Sequence, residues 1–241
     1  MDDRDVDGDI EKRAKPLEIR GAAASLERGV ALAKRGDDAA AIAEFDQAIG
    51  IDPELASAYT ERGKSRARMG DHAKAIADYE EAIRLAPTFA EAFWQRGYSW
   101  AVGGEHSKAM ADYDEAIRLD PNLAGAFWAR GAAFGHQGDH SRAIADYDEA
   151  IRLDPNIAGA FWTRGTSFTI LDDHQRAVSD FDQAIRLDPR FTAAYLERAR
   201  SYEELGRWVR SLADYRKVVE LDPSNPAGQA GISRVLEKQR S

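Results

Sequence analysis

The chain has 241 residues, 44% of them hydrophobic and 31% charged, with 42 acids against 33 bases and no cysteine. A composition of this kind folds, and a net charge of −9 argues against binding a nucleic-acid backbone, which needs clustered cations. The lack of cysteine excludes disulfides, thiolate metal sites and cysteine nucleophiles, and no apolar run approaches the roughly 20 residues that span a bilayer.

Residues 1–21 read as an acidic, flexible segment. It opens on Met1-Asp2-Asp3-Arg4-Asp5, acids where a secretory signal needs a basic start and an apolar core, so a cytoplasmic location is expected unless a leader has been removed. Asp3, Asp5, Asp7, Gly8 and Ile10 resemble the opening positions of an EF-hand calcium loop. The twelfth position is Ala14, without the bidentate carboxylate, and a solvated acidic tail is the preferred reading.

From there the chain is periodic. Pro53, Pro87, Pro121, Pro155, Pro189 and Pro223 each follow the last by 34 residues, in phrases such as Leu119-Asp120-Pro121. Counting back gives six repeats, 22–55, 56–89, 90–123, 124–157, 158–191 and 192–225, numbered here by positions 1 to 34. The third and fourth agree at 22 of 34 positions, so the chain is an array and not one or two compact domains. Each repeat predicts two helices, A and B. In the third, Phe93, Gly97 and Trp100 fall at positions 4, 8 and 11. In the fourth, Ala143, Ile144, Tyr147, Ala150, Ile151 and Leu153 recur at helical steps. Between the halves, Gly36-Asp37, Gly70-Asp71, Gly104-Glu105 and Gly138-Asp139 supply a helix stop and an acid for the next N-terminus. Proline at position 32 ends helix B.

The spacing aromatic-4, Gly-8, aromatic-11, Gly-15, Ala-20, aromatic-24, Ala-27, Pro-32 resembles the tetratricopeptide repeat. The resemblance covers 22–225 and implies an all-α, right-handed α-solenoid of six helix-turn-helix repeats. Residues 226–241 resemble the capping helix, with Ile232, Val235 and Leu236 on one stripe. Asp172 departs from glycine at position 15, and Ser25 stands where later copies carry an aromatic, as a terminal, more exposed repeat would allow.

Arginine occupies position 7 and an acid position 23 in every copy: Arg28/Glu44, Arg62/Asp78, Arg96/Asp112, Arg130/Asp146, Arg164/Asp180 and Arg198/Asp214. In a hairpin turning near position 15 these lie eight residues either side of the turn, so structural ion pairs between helices A and B are expected. The other reading is a cation ladder for anionic ligands. Histidine recurs at position 17 as His72, His106, His140 and His174. Helices pack about 8–10 Å apart, whereas two ligands of one metal each lie about 2 Å from it, so the array reads as packing and not as a metal site. No catalytic constellation stands out, and neither an enzyme nor a cofactor is expected.

On helix A, positions 2, 5, 9 and 12 form a second stripe, which with position 13 lines the concave surface in the family. Position 5 is Trp94, Trp128 and Trp162 in three consecutive repeats, with Tyr98 at position 9. Lys64 and Arg68 make one end basic, while Glu197, Glu203 and Glu204, beside Arg200, make the other mainly acidic. The expected function is a non-enzymatic scaffold whose groove binds an apolar protein or peptide segment. Trp94, Tyr98, Trp128 and Trp162 would be its anchors, and Lys64 and Arg68 would steer its acidic end. The tryptophans could instead pack between neighbouring A helices. The basic and amide clamp of the chaperone-binding branch is missing at positions 5 and 9. The alternative function is a self-assembling structural module, or one domain of a larger complex.

Overall fold

The computed structural model describes residues 20–240, and among these every regular element is a helix. The EF-hand-like stretch from Asp3 to Ala14 lies outside the described residues. The described residues divide into two compact units, one up to residue 121 and one from residue 122. The first contains α1 (20–34), α2 (Asp38–Ile51), α3 (Ala56–Arg68), α4 (His72–Leu85), α5 (Ala90–Val102) and α6 (His106–Leu119). The second contains α7 (Ala124–His136), α8 (His140–Leu153), α9 (Ala158–Ile170), α10 (His174–Leu187), α11 (Thr192–Glu204), α12 (Trp208–Leu221) and α13 (Pro226–Lys238). From α2 onward within each unit, every helix packs against the next, and odd-numbered helices also touch one another, as α7 touches α9 and α9 touches α11. Among the described residues no helix is long and apolar enough to cross a membrane.

The hairpin turn has a specific backbone requirement. Gly36, Gly70, Gly104, Gly138 and Gly206 all have positive φ, and Asp172 takes the same conformation at φ 63° without being glycine. Aspartate is among the few residues that enter this region at modest cost. The turn returns the chain so that Asp139 N–H donates to the Phe134 carbonyl at 2.9 Å. The Asp139 carboxylate then accepts from the Arg142 N–H at 2.9 Å, capping α8. Asp37, Asp71 and Asp173 cap α2, α4 and α10 in the same way, whereas Glu105 makes no side-chain cap. At the far end, Asp52, Asp120, Asp154, Asp188 and Asp222 are extended, as a residue before proline prefers.

Close contact inside each hairpin explains the small residue at position 8. A Cβ added at Gly63 would meet the Tyr79 ring at 2.5 Å, one at Gly131 the Tyr147 ring at 2.8 Å, and one at Gly165 the Phe181 ring at 2.7 Å. In the sixth copy position 8 is Ala199, which shares a core cluster with Tyr215, and the Tyr215 ring also lies against Gly231 of α13. Leu212, Tyr215 and Val235 form one core cluster there, with Ile232 and Leu236 packed on it.

One expectation needs correction. Ser25 is buried, at 1% exposure, and is not a concession to an exposed terminal repeat. Its hydroxyl accepts a hydrogen bond from Arg28 Nη2 at 2.8 Å, where later copies place an aromatic ring beside the same arginine.

Candidate functional site

The position-7 arginines are held on several sides. Arg62 lies 2.7 Å from Asp78, Arg96 2.7 Å from Asp112, Arg130 2.8 Å from Asp146 and Arg164 2.6 Å from Asp180. A second carboxylate, in the preceding copy, is reached by Arg62 at Asp46 (2.6 Å), by Arg164 at Asp148 (2.6 Å) and by Arg198 at Asp182 (2.5 Å). The guanidiniums of Arg62, Arg96, Arg130, Arg164 and Arg198 also lie 5.3–5.7 Å from the position-4 rings, within cation–π range. Burial works against the Arg198 charge, but Asp214 and Asp182 outweigh it and hold the guanidinium above its ordinary range. Arg62, Arg164 and Arg198, occupied at both ends of the fork, have little left to offer an anionic ligand.

A second set of cations stacks on the position-11 rings. Lys108 sits 4.3 Å from the Trp100 ring, Arg142 4.4 Å from Phe134 and Arg176 4.3 Å from Phe168. The signal was available, because position 19 is basic wherever position 11 is aromatic. In the second copy position 11 is Arg66, which turns to Asp78 at 2.7 Å instead.

In the first unit, Trp94, Tyr98 and Val102 follow one another at four-residue steps on α5. Trp94 is half-buried, while Tyr98 and Val102 are 51% and 54% exposed. The His72 ring lies 6.3 Å from that of Tyr98. Lys64 and Arg68 do not form an open basic entrance. Lys64 sits between Glu61 at 2.7 Å and Glu91 of α5, and Arg68 holds Asp38 of α2 at 2.6 Å. Burial opposes the Lys64 charge, and the two glutamates outweigh it, so the ammonium is held above its usual range. Neighbouring helices supply these acids, and an incoming ligand acid would have to displace them.

In the second unit, Trp128 and Trp162 are half-buried. Trp128 Nε1 donates to Thr163 Oγ1 at 3.1 Å, and its ring covers Gly159, where a Cβ would come within 2.9 Å. Trp162 packs on Phe191, ring centroids 5.6 Å apart, and its buried Nε1 has no partner. Trp128 therefore packs between copies, Trp162 packs on the N-cap residue of α11 that closes its own copy, and both rings keep a partly exposed edge. Ile170, eight residues beyond Trp162 on α9, is 58% exposed.

The recurrent histidines do not converge. His72 Nδ1 is 3.4 Å from Ser99 Oγ, His140 Nδ1 is 3.5 Å from Ser167 Oγ, and His174 Nε2 is 3.0 Å from Asp172. Among the described residues no group of three or more histidines and carboxylates is placed to hold a metal ion.

Helical hairpins repeated every 34 residues, with rows of side chains on successive A helices, define an all-α repeat solenoid. The tetratricopeptide repeat family profile matches residues 60–124 and 163–226, a second matches 124–157, and a TPR repeat profile matches 29–70. The chain belongs to the tetratricopeptide repeat family, a fold of protein-interaction scaffolds. No curated protein matches its sequence significantly. Among solved structures, the APC/C hetero-tetramer Cut9–Hcn1 is similar with a TM-score of 0.83 at 18% identity, over 95% of this chain and 45% of that one. The chain thus spans less than half of that relative. Pseudomonas aeruginosa pilF is similar with a TM-score of 0.81 at 16% identity, over 90% of this chain and 99% of that one. YrrB, described as a TPR protein with an unusual peptide-binding site, gives 0.61 at 19% identity, over 77% and 96%. At these identities the likeness is one of fold.

Proposed function

We propose that the chain is a non-enzymatic scaffold that takes an apolar segment of a protein partner on the exposed rows of its A helices. The observation that carries this reading is the row Trp94, Tyr98 and Val102 on α5. Two of its three members are more than half exposed although all three are apolar or aromatic. A run of exposed aromatic and aliphatic groups at helical spacing marks a contact surface more than a solvated face. In the second unit, the free edges of Trp128 and Trp162 and the exposed Ile170 supply the same chemistry. Lys64 and Arg68 enter as parts of ion pairs, so they tune the ligand's charge by exchange and not by open attraction.

Peptide arrays probed with the purified chain test the reading. Binding to apolar peptides should fall with Tyr98→Ala and with Trp128→Ala and Trp162→Ala. Arrays on which none of these variants changes binding would remove the proposal. Light scattering over a concentration series separates it from the self-assembly alternative, which requires mass to rise with concentration.

A further inference from the structure

The second unit contains a hollow of about 620 Å³ beside the C-terminal end of α9. Its walls come from α9, the turn at Asp172, the start of α10, α11 and Arg234 of α13. Four carboxylates line it against two guanidiniums, an excess of two acids over the permanent cations.

The pairing inside shows where that excess lies. Arg234 of α13 holds Glu203 in a two-pronged contact, at 2.6 and 2.8 Å, and Tyr215 donates to the same carboxylate. Arg200 holds Glu197 at 2.8 Å. Both permanent cations are thereby committed. Among the described residues the Asp172 carboxylate has one side-chain partner, the His174 imidazole at 3.0 Å, and its side chain is 96% exposed. Glu204 is exposed and forms no ion pair among the described residues. Ile170, also lining the hollow, is 58% exposed. An apolar contact and two carboxylates without a permanent cation therefore line one open surface hollow.

We infer that this hollow is a docking subsite for a partner segment in which a lysine or arginine stands next to an aliphatic residue. The cation enters between Asp172 and Glu204, and the aliphatic side chain seats on Ile170. The occupant is chosen by charge complementarity: an acidic segment would meet the net negative wall, and a purely apolar one would leave two carboxylates facing it unanswered. The inference rests on the reading that the A-helix rows bind a partner segment, and it adds the sign of charge that the segment carries at this end.

Fluorescence anisotropy with the full chain tests it, using short capped, labelled peptides of one apolar framework in neutral, arginine-containing and glutamate-containing versions. The arginine peptide should bind about tenfold more tightly than the neutral one, with a preference that shrinks as salt is raised. The double variant Asp172→Asn, Glu204→Gln should abolish the preference while leaving the neutral peptide's affinity unchanged. Asparagine keeps the left-handed turn and an amide oxygen for His174, and Glu204 has no ion pair among the described residues to lose; a thermal melt of the variant beside the native chain verifies its fold. Equal binding of neutral and arginine peptides, or a preference that survives in the double variant, overturns the subsite and leaves the apolar rows standing. Absence of binding by every peptide overturns both.

Discussion

Arg164 on α9 lies 2.6 Å from Asp148 on α8, a carboxylate in the preceding repeat, while it also holds Asp180 of its own hairpin at 2.6 Å. The two acids differ in what their loss should cost. Asp180 is nearly fully buried, and Asp148 is more than half exposed. Arg164→Ala strands a buried carboxylate and should cost about 3–5 kcal/mol, whereas Asp148→Ala should cost at most about 1 kcal/mol. Urea unfolding of the two variants checks the order, and equal losses would contradict it.

Glu203 links α11 to α13 through Arg234. Burial pushes its carboxyl up, but Arg234 and Tyr215 outweigh this and hold it below the ordinary range. A folded value below the unfolded one, which is about 4.3, makes the stabilisation complete above that pH and lost as pH falls through the folded value. Thermal melts between about pH 7 and about pH 3 should show the native chain losing more stability in acid than Glu203→Gln does. Parallel curves would show that the link contributes nothing.

Asp172 occupies a conformation that the other five turns give to glycine. Asp172→Gly removes a backbone cost of about 1–2 kcal/mol and should raise the melting temperature, less whatever the contact to His174 contributes. A β-branched residue at the same place should lower it. Differential scanning calorimetry of Asp172→Gly and Asp172→Val distinguishes the directions.

Gly131 is in contact with the Tyr147 ring, with 2.8 Å available to a Cβ. Gly131→Ala should destabilise the chain by about 1–3 kcal/mol through overpacking, although alanine is the better helix former. A gain in stability on equilibrium unfolding would show that the ring moves aside freely.

Tyr98 and Val102 separate binding from folding. Both are more than half exposed, so Tyr98→Ala and Val102→Ala should change stability by no more than about 0.5 kcal/mol. Trp162→Ala, which removes the packing on Phe191, should cost about 3–5 kcal/mol. Thermal melts of the three variants, run beside the peptide arrays, show whether binding losses come from the surface or from the scaffold.

The hairpin is written in the sequence because its determinants are local: the 34-residue proline period, a turn needing positive φ, and an acid placed to cap the next helix. Partners in neighbouring copies are less legible. The acids that hold Lys64 and Arg68 stand at Glu91 and Asp38, roughly one repeat away in either direction, and stripes drawn on single helices do not bring them together. Trp128 is drawn into packing by Gly159 and Thr163, again on the next A helix. The second carboxylate of the arginines did leave a trace. Position 25 is acidic in the first five copies and becomes Arg216 in the sixth, after which no copy with a position-7 arginine follows. The burial of Ser25 left none, because a hydroxyl there takes over a place beside Arg28 that rings fill elsewhere.

The arginine that grips the carboxylate of the copy before it places the same ion pair at the α8–α9 seam and at the α10–α11 seam. A chain cut at one such seam and rejoined at the other, with one whole copy lost, would bring Arg198 opposite Asp148, a match already present in kind. Insertion of a copy would heal in the same way. Such an array can change its reach in steps of one hairpin with this ion pair kept, and only the contacts that vary between copies, such as Trp128 on Gly159 and Thr163, would have to be rebuilt, here against Ala193 and Glu197.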